Sequence, residues 1–362
     1  MKSAPSPRAA PLFWQRRGGF AAALLPAGVL FRAVAALRRR LYLGGLLRRE
    51  RLPVPVIVIG NISVGGSGKT PVAAWLAEEL RKAGRHPGIV SRGYGGDAAA
   101  SGQACLVGVD ADPGFCGDEP VLLARLTGCP VATGRDRPAA ARTLLAAHPE
   151  CDVIISDDGM QHYRLARTVE IAVLDEAALG NRWPLPAGPL REPLARLAEV
   201  DLVIAHGELS PRLRAAAGAV PIVPMRLDGD RFRSLSNPDQ WCDAAAFAGQ
   251  RVHALAGIGQ PQRFFDRLAA MGIKAVPHPF PDHHRYCAAD LAFAPGEPKL
   301  MTSKDAVKCA ALKPPDAWEL PVRAIIAAEA LGLILEKLDD GRQTARNPRL
   351  PAVQKSAELP ER

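Results

Sequence analysis

A glycine-rich segment of the chain reads Gly60-Asn61-Ile62-Ser63-Val64-Gly65-Gly66-Ser67-Gly68-Lys69-Thr70. It follows an apolar run, residues 54–59, and precedes a helical pattern, and this order is typical of a phosphate-binding loop. Glycines let successive backbone N–H groups turn toward one anion, and the N-terminus of the following helix adds its unpaired N–H groups. We expect Lys69 to reach the β- and γ-phosphates and the Thr70 hydroxyl to ligate Mg²⁺. The predicted nucleotide-binding residues are Ser63, Val64, Gly65, Gly66, Ser67, Gly68, Lys69 and Thr70.

The loop departs from the strict pattern G-x-x-x-x-G-K-[ST] because Ser63 occupies the first glycine position. Three later glycines supply the flexibility instead. The alternative is a glycine-rich turn with a chance Lys-Thr pair. The preceding strand and the following helix favour the phosphate loop.

Short apolar runs alternate with helical patterns over most of the chain. Largely apolar runs suit strands that are buried on both faces of a parallel sheet. We predict an α/β protein with a P-loop NTPase-like, doubly wound, mostly parallel sheet and a second, smaller α/β domain. The predicted division is an N-terminal segment 1–50, a P-loop core 51–224, a linker with a hairpin 225–250, a C-terminal domain 251–339 and a disordered tail 340–362.

Composition limits the partners. The 362 residues carry a formal net charge of +9, which suits anionic ligands or surfaces. Aromatic residues make up only 5% and do not alternate with basic ones, so we expect no nucleic-acid partner. The sequence gives no sign of an obligate protein partner. The seven cysteines are widely spaced without a C-x-x-C pair, which predicts reduced thiols.

The N-terminal region contains an apolar segment, residues 20–37, that only Arg32 interrupts. Arginines precede it at 16 and 17 and follow it at 38–40. About 20 apolar residues are needed to span a bilayer, so spanning is marginal. Flanking arginines favour a helix that lies in an anionic membrane surface. An ordinary buried N-terminal helix is the alternative.

Carboxylates stand where phosphoryl-transfer chemistry needs them. The strand at 153–156 ends in Asp157 and Asp158, a position at which carboxylates meet Mg²⁺ directly or through water. Gln161 follows and would face the same crevice. Asp118 opens a helix, where it is either an N-cap or the group that accepts a proton from an attacking hydroxyl.

Further polar groups follow other predicted strands. Arg92, Arg135 and Arg191 lie in segments that should point toward this crevice, where guanidinium forks suit phosphates. The Asp282-His283 pair lies between proline-fixed turns in the second domain, and a carboxylate beside a histidine can orient it. Alone, the Asp-His-His pattern is weak evidence, because such a pattern usually belongs to a surface loop.

These motifs together resemble the tetraacyldisaccharide 4'-kinase family of lipid A biosynthesis. The resemblance extends from about residue 14 to about residue 335. It implies transfer of the ATP γ-phosphate to the 4'-hydroxyl of a tetraacylated glucosamine disaccharide 1-phosphate. It also implies a peripheral or N-terminally anchored protein at the cytoplasmic face of the bacterial inner membrane. The motifs are 60–61, 64–71, 91–96, 117–120, 134–137, 157–165, 185–193, 256–265, 280–283 and 302–308.

The resemblance implies roles for individual residues. Asp118 is the expected base, paired with His283 and supported by Asp282, and Lys69 completes the catalytic set. The metal is expected on Thr70, Asp157, Asp158 and Glu119. Substrate or phosphate contacts are expected from Arg137, Arg191 and Gln161.

Two other functions remain open at this point. One is a phosphate-loop kinase or ATP-dependent ligase for a soluble small molecule, which would not need the apolar segment 20–37. The other is a slow nucleotide switch that binds a partner. A guanine-reading motif would support the switch, but Met301-Thr302-Ser303-Lys304-Asp305 resembles one only loosely.

Overall fold

The computed structural model describes residues 11–346, in which two β-sheets are the main architectural units. The strands are β1 (Val56–Gly60), β2 (Pro87–Ser91), β3 (Cys105–Val107), β4 (Val131–Thr133), β5 (Val153–Ser156), β6 (Val169–Asp175), β7 (Leu202–His206), β8 (Ile222–Asp228), β9 (Arg231–Ser234), β10 (Trp241–Asp243), β11 (Val252–Ala256), β12 (Ala275–Pro279), β13 (Lys299–Thr302), β14 (Ala317–Leu320) and β15 (Arg323–Ile326). The α-helices are α1 (Gly19–Ala23), α2 (Leu25–Leu43), α3 (Lys69–Lys82), α4 (Asp97–Ser101), α5 (Pro113–Cys116), α6 (Asp118–Thr127), α7 (Arg137–Ala147), α8 (Pro211–Ala217), α9 (Pro261–Ala270), α10 (Ala288–Leu291), α11 (Ser303–Cys309) and α12 (Glu329–Arg346). Short 3₁₀ helices cover Leu12–Gln15, Glu176–Leu179, Leu194–Glu199, Ala244–Phe247 and Ala310–Leu312.

The larger sheet has the order β15-β8-β7-β6-β1-β5-β2-β4-β3. Strands β8 to β4 run parallel, and the two edge strands are antiparallel. All five residues of β1 are buried, as expected for a strand with helices on both faces of its sheet. The predicted α/β fold with a mostly parallel sheet is confirmed.

The position of β1 places the glycine-rich loop at the middle of this sheet. Strand β5 lies directly beside it, so the residues after β5 meet the loop at the carboxyl edge. Helix α3 follows the loop and buries Val72, Leu76 and Leu80 at helical spacing against the sheet.

The smaller sheet has the order β10-β9-β14-β13-β11-β12. Strands β12, β11, β13 and β14 are parallel, whereas β9 is antiparallel to both of its neighbours. Its own core is built around Phe232, Leu268 and Leu300. This sheet is the second α/β unit that the sequence predicts.

The chain is divided differently from the predicted boundaries. The segment 225–250 does contain a hairpin, but that hairpin, β9–β10, belongs to the smaller sheet. Strand β15 and helix α12 fall within the predicted domain 251–339, yet β15 pairs with β8 and Ile334 and Leu338 pack in the core of the larger sheet. The C-terminal segment thus provides a pairing partner for the edge of β8 and also packs the apolar side chains of α12 into the core of the larger sheet. Helix α12 continues to Arg346, past the predicted start of the tail at 340, and residues 347–362 lie outside the described residues.

The N-terminal helices lie against the larger unit. Arg39 pairs with Glu199, and Arg38 donates to the carbonyl of Gln161, so α2 is fixed close to the carboxyl edge of the sheet. Within residues 11–346, every helix is too short or too polar to cross a membrane. The apolar side chains that α1, α2 and the turn after them leave exposed are Phe20, Val29, Leu30, Phe31, Val34, Leu37, Leu43, Leu46 and Leu47.

Candidate active site

The phosphate loop connects β1 to α3. Gly65 and Gly68 have φ angles of 115° and 87°, which side chains with a Cβ rarely adopt. The backbone N–H of Val64 donates to the Pro189 carbonyl at 2.8 Å, which ties the loop to segment 185–193. The Ser67 hydroxyl is buried and has no hydrogen-bond partner within the described residues. A helix N-terminus with such a buried donor fits a phosphate group.

Cations surround Asp158 beside this loop. Lys69 Nζ lies 3.4 Å from Oδ1 of Asp158, and Arg191 Nη1 lies 3.2 Å from Oδ2. Burial alone would raise the pKa of Asp158, but Lys69 and Arg191 outweigh it and hold the pKa well below its usual range. Gln161 Oε1 accepts from the same Arg191 nitrogen at 3.3 Å. Four predicted residues therefore form one group at the carboxyl edge.

Asp157 has a different environment from its neighbour. It is buried, and its Oδ1 has no hydrogen-bond partner in the part of the chain that the structure describes. Burial first, and then the charges of Glu119 and Asp158, raise its pKa to about 7. Arg137, predicted to contact substrate, is itself buried and donates from Nη2 to the Asp157 carbonyl at 2.6 Å. The buried Arg137 thus stabilises the backbone just after the end of β5.

Asp118 and His283 meet across the two units. Asp118 is the first residue of α6, and Nδ1 of His283 lies 3.0 Å from each of its carboxylate oxygens. Oδ1 also accepts from the Glu119 backbone N–H at 2.9 Å. Burial would raise the pKa of Asp118, but Lys304 and the His283 hydrogen bond lower it to about 2. The carboxyl is therefore ionised at neutral pH.

His283 sits in an unusual backbone conformation. Its φ is 58°, a left-handed value that costs free energy for a residue with a Cβ, and such residues cluster at functional sites. Its N–H donates to Asp282 Oδ1 at 3.0 Å, which helps to hold this turn. The Tyr94 ring lies 4.9 Å from the imidazole, centroid to centroid. The backbone turn and the Tyr94 ring together restrict the position of the imidazole.

Lys304 joins the carboxylates of both units. Its ammonium lies 3.1 Å from Glu119 Oε1, 3.2 Å from Asp282 Oδ1 and 3.9 Å from Asp118 Oδ2. Burial would lower the pKa of Lys304, but Glu119, Asp118 and Asp282 raise it. The group therefore stays cationic in a largely buried position.

A cavity opens beside the Asp118–His283 pair. Its volume is about 180 Å³, and Tyr94, Asp118, His283 and Arg285 are among its lining residues. The phosphate loop is near, because a Cβ added at Gly259 would lie 3.5 Å from Asp282 Oδ2 and 3.6 Å from the Gly66 nitrogen. The loop after β11 therefore lies between the phosphate loop and Asp282 of the smaller unit.

The carboxylates do not by themselves form a metal cage. Within residues 11–346, no group of three or more His, Cys, Asp and Glu side chains is arranged to hold an ion. Mg²⁺ in phosphoryl-transfer sites uses one or two carboxylates, with waters and phosphate oxygens completing its shell. The unpartnered Asp157 oxygen fits that partial donor set, whereas Asp158 and Glu119 are already paired with cations.

Comparison with known proteins identifies the family of this chain. The sequence profile of the tetraacyldisaccharide-1-P 4'-kinase family matches residues 20–339. The chain belongs to this family. A tetraacyldisaccharide 4'-kinase from Azoarcus sp. is 66% identical over 339 residues, which cover 93% of this chain and 97% of the relative. Another from Aromatoleum aromaticum is 61% identical and covers 93% and 99% of the two chains.

A solved structure of the family shares the fold. The crystal structure of LpxK from Aquifex aeolicus in complex with ATP superposes with a TM-score of 0.74 at 29% identity, covering 88% of this chain and 99% of that chain. The predictions of the family and of its kinase activity are confirmed by these matches.

Two residues of the candidate site, Lys304 and Tyr94, are not identified by the sequence analysis. Lys304 lies in the segment 301–305 that loosely resembles a guanine-reading motif, and Tyr94 lies in the motif 91–96. The sequence indicates that residues 93–96 and 302–304 follow strands. It does not indicate which side chains from distant parts of the chain these residues contact.

Proposed function

We propose that this kinase transfers the γ-phosphate of ATP to the 4'-hydroxyl of a tetraacylated glucosamine disaccharide 1-phosphate. The observation that carries the proposal is the Asp118–His283 pair, held across two units beside a cavity and close to a phosphate loop. Phosphoryl transfer needs a proton acceptor for the attacking hydroxyl next to a cradle for the phosphates. The family match and the ATP-bound relative support the identity of the two substrates.

The phosphates of ATP would lie on residues 63–70. The N-terminus of α3 and the Lys69 ammonium would face the β- and γ-phosphates, with Arg191 at the same edge. Mg²⁺ would be held by Thr70 and Asp157, and when bound it neutralises charge on the phosphate oxygens. Asp158 has a different role in this proposal, because it orients Lys69 and Arg191.

Asp118 would accept the proton as the hydroxyl oxygen bonds to the γ-phosphorus and the bond to ADP breaks. Its carboxylate is ionised, so it is ready to accept. His283 would hold the carboxylate in place through Nδ1–H, and Asp282 would hold the His283 turn. Tyr94 lines the same cavity and offers a flat surface for a sugar ring.

The acceptor would reach the site from the membrane. A second cavity, of about 250 Å³, lies between α2 and segment 182–195 and combines arginines with apolar side chains, among them Arg32, Arg182, Arg191, Leu190 and Leu194. Such a lining suits an amphipathic anion. We infer that the exposed apolar face of α2 docks on an anionic membrane surface, at the cytoplasmic face of the inner membrane.

Radiolabelled phosphate transfer tests the proposed reaction. Purified protein, [γ-³²P]ATP and Mg²⁺ are incubated with the tetraacyl disaccharide 1-phosphate, with a deacylated disaccharide 1-phosphate as control. We expect label in the lipid at the 4'-position and much slower labelling of the control. Equal labelling of both acceptors, or transfer to neither, would contradict the proposal and favour a soluble substrate.

Vesicle flotation tests the membrane surface separately. Charge introduced on the exposed face of α2, as in the double variant Leu30→Asp/Val34→Asp, should release the protein from phosphatidylglycerol vesicles. Val109→Asp/Leu312→Asp, which places the same two charges at exposed apolar residues outside α2, is the matched control and should still float. Unchanged flotation of the α2 variant would remove this helix as the docking surface.

A further inference from the structure

Lys304 is held in its position by the start of α11. Thr302 is the N-cap of this helix, and its hydroxyl accepts from the Asp305 backbone N–H. Helix α11 thereby directs Lys304 toward the N-terminus of α6, where Asp118 and Glu119 lie. Only 17% of the Lys304 side chain is exposed, so leaving its charge unpaired would cost free energy of folding.

The ammonium of Lys304 also lies beside the second ring nitrogen of His283. Lys304 Nζ lies 3.5 Å from Nε2 of His283, and an ammonium can only donate hydrogen bonds. Nε2 also lies 3.8 Å from Oδ2 of Asp282, which is beyond hydrogen-bond distance. In a neutral imidazole, Nε2 would therefore accept from Lys304 and the ring proton would be on Nδ1. Nδ1 is the atom 3.0 Å from the Asp118 oxygens, so it donates to them.

We propose that Lys304 is a positioning residue for the Asp118–His283 pair. It favours, from the Nε2 side of the ring, the Nδ1–H tautomer that lets His283 donate to Asp118, and it holds Glu119 and Asp282 on either side of the pair. The inference rests on the proposed function, because it assumes that the pair serves the reaction. It assigns a specific role to a cation of the smaller unit.

A purely structural ion pair is the competing explanation. Lys308, one turn further along α11, illustrates that case: its ammonium lies 2.8 Å from Asp305 Oδ1 and is bonded within its own unit. Lys304 differs because two of its carboxylate partners, Asp118 and Glu119, are on α6 of the other unit. A structural pair would affect stability, whereas a positioning residue must affect turnover after both substrates have bound.

Steady-state kinetics separates the two explanations. We expect Lys304→Met to lower kcat by about 10²-fold, the size of effect that misplaced catalytic groups cause, with the KM for ATP within about threefold. Lys304→Arg keeps a cation that can only donate and should retain at least about tenfold more kcat than Lys304→Met. Lys337→Met, which removes an exposed pair with Asp201, is the control and should keep full activity.

The kinetic result that overturns the proposal is a kcat for Lys304→Met within about threefold of wild type. Equal loss of kcat in Lys304→Arg and Lys304→Met overturns it as well. If Lys304→Met does not fold, Lys304→Gln, which is one atom shorter than lysine and keeps an N–H donor without the charge, takes its place. The same limits then apply to Lys304→Gln.

¹⁵N NMR of histidine-labelled protein tests the tautomer without reference to turnover. The His283 resonances are assigned by their loss in His283→Asn. We expect the wild-type ring in the Nδ1–H form and a mixture of tautomers in Lys304→Met. An Nε2–H ring in the wild type overturns the inference, whereas an Nδ1–H ring in a protein whose Asp118→Asn variant stays active contradicts only the proposed role of Asp118.

Discussion

The two units contribute to the site in different ways. The larger unit supplies a contiguous loop, residues 63–70, and the ends of adjacent strands, where Asp157 and Asp158 lie side by side. The smaller unit supplies single side chains, chiefly His283 and Lys304, which reach a carboxylate of the larger unit. In the proposed mechanism, the first contribution binds the nucleotide, whereas proton transfer to Asp118 needs both. The proposed chemistry therefore depends on the contact between the units.

The largest effect is expected from the phosphate loop. Lys69→Met should lower kcat/KM by at least about 10³-fold, because a cation facing the developing phosphate charge is lost. Steady-state phosphate transfer measures it. Lys82→Met, at the other end of α3 and exposed beside Glu78 and Glu79, should remain active. Activity of Lys69→Met within tenfold of wild type would mean that this loop does not hold the transferred phosphate.

Loss of the proposed base should separate binding from turnover. Asp118→Asn keeps the shape of the side chain but removes the proton acceptor, and should lower kcat by about 10²–10⁴-fold. The Kd for ATP, measured by calorimetry, should stay within about threefold, because the phosphate loop is untouched. A large loss of ATP affinity with normal kcat would assign Asp118 to nucleotide binding instead.

A pH comparison of neighbouring carboxylates gives a smaller effect. Burial and the charges of Glu119 and Asp158 raise the pKa of Asp157 from 3.8 to about 7, so the folded protein holds a proton that the unfolded chain releases between these values. The free energy of unfolding therefore falls as pH rises from about 4 to 7. Asp157→Asn removes this loss, and its Tm relative to wild type should be higher at pH 8 than at pH 5.

Asp158 is the matched control for that experiment. Its pKa is held below the usual range by Lys69 and Arg191, so its contribution is present above pH 4 and is lost only in stronger acid. Asp158→Asn should therefore lower Tm at both pH 5 and pH 8. Parallel behaviour of the two asparagine variants in thermal unfolding would contradict the difference between these environments.

Much of the larger unit could be predicted from the sequence, because its signals are contiguous. The apolar β1, the glycine-rich loop and the start of α3 are adjacent in the chain, and parallel strand ends meet at one edge. The pairing of β15 with β8 could not be predicted in this way, since nearly a hundred residues separate them. The Lys304 contacts and the burial of Arg137 could not be predicted for the same reason, because they depend on packing between separate segments of the chain.

A double-variant cycle tests the contact between the two units most directly. The kcat for lipid phosphorylation is measured for wild type, Asp118→Asn, His283→Gln and the variant with both changes. If the pair acts as one device, the double variant should be no more than about threefold slower than Asp118→Asn alone. Multiplication of the two single losses in the double variant would mean that Asp118 and His283 act independently and would contradict this account.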